Sequence, residues 1–234
     1  RPELISMKCL LYFTVACCLL LSACSDSTNP SDNFSSDIRD YMYAGNPGTE
    51  FVYYSVINEL DSHGTQRLNV HDTITLTILE RNVLHPKGGL SVRLLQDVRS
   101  SIKSSSSKDT VYFSFYNNGI SRFKSIRDTA VFMIMKDQLT VGSVWVFGEK
   151  DAGKGTVTAV GETIYSSFKP MKTVKLVAND TISTATGIHI LNGALYFAPE
   201  VLYSRYTSYS QTQYPTGKLS VRADTVTLVK YTKK

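Results

Sequence analysis

The chain has 234 residues, with 25 Lys and Arg set against 20 Asp and Glu for a net charge of +5 at pH 7. So mild an excess, scattered rather than run together, provides neither a basic stripe for nucleic acid nor a polybasic membrane patch. The length suits one large domain able to bury a sizeable core. The cysteines, Cys9, Cys17, Cys18 and Cys24, all fall near the start. Everything after Cys24 is therefore without disulfide staples, Cys-based zinc ligands or thiol nucleophiles.

The first six residues, Arg1 to Ser6, precede Met7 and read as an over-extended start. From Met7 the order is a positive charge at Lys8, an uncharged apolar run from Cys9 to Leu21, and then Leu21-Ser22-Ala23-Cys24. That order predicts a secretory leader over residues 1–23. The apolar run is shorter than the roughly 20 residues that a helix needs to cross a bilayer. The last four residues resemble the lipobox of bacterial lipoproteins. The resemblance implies recognition of Leu21, Ser22 and Ala23 by a lipoprotein peptidase, cleavage before Cys24 and acylation of its thiol. A diacylglycerol thioether with an amide-linked chain would supply the two or more acyl chains that stable anchoring requires. Ser25, rather than Asp, follows the cysteine, which favours the outer over the inner membrane as the destination.

Residues 24–48 read as the lipidated cysteine and a polar tether. Ser25 to Ser36 is rich in Ser, Asp, Asn and Pro, a composition that collects too little apolar surface to fold. A short helix is expected over Phe34 to Tyr43, stopped by Ala44-Gly45-Asn46-Pro47-Gly48. Residues 49–234 then read as a single antiparallel β domain. Alternating, β-branched or aromatic runs recur at Glu50 to Leu60, Thr73 to Leu79, Leu90 to Val98, Val111 to Tyr116, Ala130 to Met135 and Ser143 to Phe147. They continue at Thr156 to Val160, Thr173 to Val177, Gly187 to Leu191, Ala194 to Phe197 and Val221 to Val229. Turn residues separate nearly all of them, as at Asp61-Ser62-His63-Gly64 and Asn117-Asn118-Gly119, which points to hairpins rather than βαβ units. The expected fold is mainly β: a curved antiparallel sheet or open half-barrel of about 10–12 strands with a short N-terminal helix.

Asp-Thr followed by an apolar residue recurs at Asp72, Asp109, Asp128, Asp180 and Asp224. The main reading is a turn-ending Asp followed by a β-branched strand opener. The second is the acceptor pattern of bacterial O-glycosylation, for which Ser27 in Asp26-Ser27-Thr28 is the best-exposed candidate. Gly148 to Thr156 nearly spells a phosphate-binding P-loop, but Gly155 stands where Ser or Thr must ligate magnesium, and the following residues alternate like a strand. The histidines at 63, 71, 85 and 189 lack metal-ligand spacing. A site assembled in three dimensions around His71 and Asp72 is the remaining alternative. No nucleophile elbow, His-Glu-x-x-His or paired-carboxylate signature is present. The sequence therefore calls for no catalytic residue, metal, nucleotide or other cofactor.

Leu139-Thr140-Val141-Gly142-Ser143-Val144-Trp145-Val146-Phe147 resembles a recurrent element of small bacterial envelope lipoproteins of uncharacterised function. Those proteins continue through Thr- and Val-rich strands, matched by Gly155 to Val160 and Lys172 to Val177, to an aromatic-x-Ala-Pro ending, matched by Tyr196-Phe197-Ala198-Pro199. Glu200 and Leu202 stand where that pattern carries glycines. The resemblance implies a half-barrel similar to lipoprotein carriers and acceptors, without catalytic residues. With the tyrosines at 196, 203, 206, 209 and 214, it leads to the expectation of a non-enzymatic, lipid-anchored envelope protein that binds an amphiphile, a glycan or a partner protein. Trp145, Phe147, Tyr196 and Phe197 are the candidate lining residues. The alternative is an outer-surface structural or adhesive module displaying glycans.

Overall fold

The hairpin signals become a continuous antiparallel meander in which each strand pairs with its successor and the last returns to the first. The computed structural model describes residues 35–234 except 62, 87–88, 104–105, 117, 129–130, 150–152, 167–168, 185–186 and 217–218; side chains at 147–149, 180, 182–184, 187, 189 and 191 are also outside the description. The expected leader, Cys24 and Ser27 lie outside the described residues. In chain order the strands are β1 (Glu50–Leu60), β2 (Gln66–His85), β3 (Gly89–Ser100), β4 (Ser107–Tyr116), β5 (Gly119–Phe123) and β6 (Phe132–Lys136). They are followed by β7 (Val144–Glu149), β8 (Gly153–Tyr165), β9 (Pro170–Thr184), β10 (Gly187–Ala198), β11 (Leu202–Gln213) and β12 (Leu219–Thr232).

The fold is mainly β and antiparallel, as expected, and the sheet goes beyond a half-barrel. β1 pairs with β12 from Glu50↔Thr232 to Leu60↔Val221, so the ring closes. β2 is bent by register shifts near Ile78, Glu80 and Val83, with Asn82 at a φ of 59°. Bulges of this kind add the coiling that a barrel wall needs.

Alternation assigns the faces. Tyr53, Ile74, Leu76, Leu94, Val111, Phe113, Ile120, Leu176, Val226 and Leu228 share the inner face, and most of them are buried. Four of the five Asp-Thr repeats are not strand openers; the fifth, Asp128, ends a turn ahead of β6, with Thr129 and Ala130 outside the described residues. Asp72 and Asp224 lie mid-strand in β2 and β12, Asp180 lies late in β9, and Asp109 is already inside β4. The strands simply run further than the turn signals indicated. Within them Asp72 and Asp224 take the inner face, beside Ser55 and Ile57, and Thr takes the outer one. Adjacency on a strand likewise sends His71 and Asp72 to opposite faces. His71 Nδ1 lies 2.6 Å from the Tyr54 hydroxyl on the exposed surface, so the two residues do not converge on a common site.

One end of the barrel is sealed by the segment before β1, part of which was expected to belong to the tether. A four-residue 3-10 helix (Ile38–Tyr41) is capped by the Asp37 carboxylate, which accepts from Arg39 N–H. Ile38, Tyr41 and Tyr43 are buried in the barrel core. The segment is latched by backbone bonds from Ala44 to Glu200 at 2.8 Å and from Glu200 to Asp40 at 2.6 Å. The Arg81 guanidinium donates to the carbonyls of Tyr43 and Gly45. Apolar residues at three points in this short stretch were enough to draw it out of the polar tether.

Candidate functional site

The sealed end is packed solid. Phe51 stacks on Tyr231 at 4.9 Å between ring centroids, Tyr43 meets Phe51 and Phe113 edge-on, and Trp145 lies 5.7 Å from Phe197. The Trp145 indole N–H donates to the Gln138 carbonyl at 3.1 Å. Trp145 and Phe197 are therefore core residues and do not line the cavity described below. Tyr196 faces outward with the Lys175 ammonium 5.4 Å from its ring centroid. Phe147 lies on β7 with its side chain outside the described part. Three of the four expected lining residues, Trp145, Tyr196 and Phe197, are thus elsewhere: Trp145 and Phe197 are wholly buried in the core and Tyr196 faces outward.

Further along the same inner face the packing opens into a cavity of about 400 Å³, a size found among small-molecule sites. Its walls come from β2 (Ile74, Leu76), β3 (Gln96), β4 (Phe113), β10 (Leu195) and β12 (Val226), with Phe132, Met133 and Ile134 from β6. Tyr43, Tyr53, Tyr203 and Tyr206 add phenol rings. The lining also includes Arg122 from β5 and Arg205 from β11, and among the described residues no carboxylate lines it. The inner-face register explains Arg122, which sits opposite Phe113 and Phe132 where alternation turns its side chain inward. Arg205 is exposed, and its register opposite Tyr196 and Thr227 gives it the outward parity.

The polar groups at the base are largely engaged. The Tyr43 and Tyr53 hydroxyls are 3.3 Å apart, and the Tyr53 hydroxyl shares its proton between the carbonyls of Val201 and Tyr203, each at 3.1 Å. Burial is the main cause that raises all three phenols, Tyr43, Tyr53 and Tyr203, above their ordinary range, while the nearby Arg122 charge pulls Tyr43 and Tyr203 partly back. These tyrosines are neutral at any physiological pH. Arg122 is less well provided for. One terminal nitrogen donates to Gln96 Oε1 at a long 3.4 Å, and its buried Nε has no hydrogen-bond partner among the described residues. Neither Arg122 nor Arg205 enters an ion pair among those residues.

The turn that latches the sealing segment carries a further surprise. Glu200 and Leu202 adopt φ of 68° and 56°, the left-handed region that favours glycine. The backbone there keeps the geometry that glycines would allow, although this chain supplies neither. Among the described residues no group of three His, Cys, Asp or Glu is placed to hold a metal.

No family model and no curated protein matches the chain. Among solved structures it is similar to a protein from Bacteroides fragilis described as exported and as having a YmcC-like fold, with a TM-score of 0.52 and 10 % identity over 82 % of this chain and 99 % of that one. A second similar structure is described as a lipoprotein from Parabacteroides distasonis, with a TM-score of 0.39 and 11 % identity over 81 % of this chain and 97 % of that one. At these identities the likeness is one of architecture, and the chain shares the antiparallel fold of the Bacteroides fragilis protein.

Proposed function

We propose that this is a lipid-anchored envelope lipoprotein, held through Cys24 preferentially in the outer membrane, whose barrel binds an amphiphilic ligand without transforming it. One observation carries the binding reading: the inner face is not filled, and it leaves a mostly apolar space of about 400 Å³ beside two arginines. A purely structural or adhesive barrel gains nothing from such a void, since lining groups that lack contacts forfeit packing energy. The leader and the Leu21-Ser22-Ala23-Cys24 sequence support the location, and the exported Bacteroides fragilis protein of similar fold agrees with it.

The test is native mass spectrometry of the protein purified from its own envelope, alongside a Cys24→Ala variant grown with labelled fatty acid. Co-purifying amphiphile on the wild type, with acyl label absent from the variant, is the expected result. A bare polypeptide mass under gentle ionisation would favour the structural or adhesive module, and label surviving Cys24→Ala would overturn the anchor.

A further inference from the structure

Resting on that reading, we infer that the amphiphile is anionic, and that Arg122 with Gln96 beside it binds its head. The charge pattern carries the inference. A guanidinium inside an apolar wall is costly unless it is paired and hydrogen-bonded, yet Arg122 has a buried Nε with no partner and one long bond to Gln96. The chain does not lack acids with which to balance it: Asp72 and Asp224 occupy the same inner face further along the wall. None of them lines the cavity.

The surrounding groups fit the same ligand. The neutral phenols of Tyr43 and Tyr203 lie near enough to feel the Arg122 charge and add no negative charge of their own. A planar guanidinium presents a fork of N–H donors that matches two oxygens of a carboxylate or a phosphate. Ile74, Leu76, Leu195 and Val226 line the same cavity, an apolar surface suited to an alkyl tail. Removing a buried charge-assisted bond from such a head corresponds to about a tenfold or larger loss of affinity.

The experiment uses the full chain in native membrane vesicles and three probes of equal tail length bearing a photoreactive diazirine: dodecanoate, dodecyl phosphate and dodecanol. Cross-linked peptides are mapped by mass spectrometry. The expected outcome is labelling of the β5–β6 and β10–β12 lining by one or both anions at about ten times the dodecanol yield. The preferred anion identifies the head. Arg122→Met should reduce the anion yield to that of the alcohol. Arg205→Gln, at an exposed position of outward parity, serves as the control and should leave the anion preference unchanged. Equal labelling by all three probes would overturn the anionic head and leave the amphiphile reading standing. Cavity labelling by none of them would overturn both, and an anion preference that survives Arg122→Met, or that is lost equally in Arg205→Gln, would overturn the role of Arg122.

Discussion

At the scale of single residues, the buried phenols set the response of the barrel to alkali. Burial raises Tyr43, Tyr53 and Tyr203, and it pushes Tyr231 up to about 12 with the help of the Glu200 charge. In the unfolded chain these groups ionise near pH 10. The folded state therefore holds protons that the unfolded state releases, so stability is full below about pH 10 and falls as the pH climbs toward the folded values. Urea midpoints should be level from pH 8 to about 10 and then decline, with the phenolate absorbance of these tyrosines appearing only as the protein unfolds. Phenolate growth in the folded baseline with the full stoichiometry of the tyrosines would show that the cluster is not sealed. Gly155 makes a second residue-scale case. The glycine that spoils the P-loop-like string is buried in β8 opposite Trp145, and a Cβ there would come within 2.8 Å of Leu176 Cγ. Gly155→Ala should cost about 1–3 kcal/mol of stability by overpacking, measured by chemical unfolding. An unchanged midpoint would mean that Leu176 yields freely.

At the scale of elements, the strands were legible because period-two alternation and turn residues are local signals. Glu50 to Leu60 was read residue for residue as β1. Closure was not legible, since pairing Glu50 with Thr232 joins positions at opposite ends of the domain and nothing local encodes it. The ring is also uneven. β5 and β6 have five residues each, and among the described residues β6 meets β7 only through Phe132↔Glu149 and Met133↔Gly148. β1 and β12, by contrast, pair along their whole shared length. Short ladders open at lower free energy than long ones, so amides of β6 and β7 should exchange with deuterium faster than those of β1 and β12. Because Phe132, Met133 and Ile134 of β6 line the cavity, a bound amphiphile should slow that exchange. Uniform protection around the ring, unaltered by ligand, would refute the weak seam.

At the scale of the whole molecule, the barrel is a cup: solid at the end plugged by Ile38, Tyr41 and Tyr43, hollow further along. The site was less legible than the fold. Trp145, Tyr196 and Phe197 stand in the elements that carry the lipoprotein resemblance and the Tyr-rich stretch, yet Trp145 and Phe197 are wholly buried in the core. Arg122 and Arg205 went unmarked because isolated arginines are common in strands. The available signal was parity, since Ile120 and Arg122 occupy alternate positions on one face and the first is wholly buried. Ring closure has one more consequence. An open sheet ends in edge strands whose bare N–H and C=O groups recruit other strands, a hazard that rises with local concentration. With β1 joined to β12 the sheet has no free edge at that seam, so strand addition from another molecule finds no template there. If the seam between β6 and β7 parts, that gap becomes the place where one molecule can polymerise onto another.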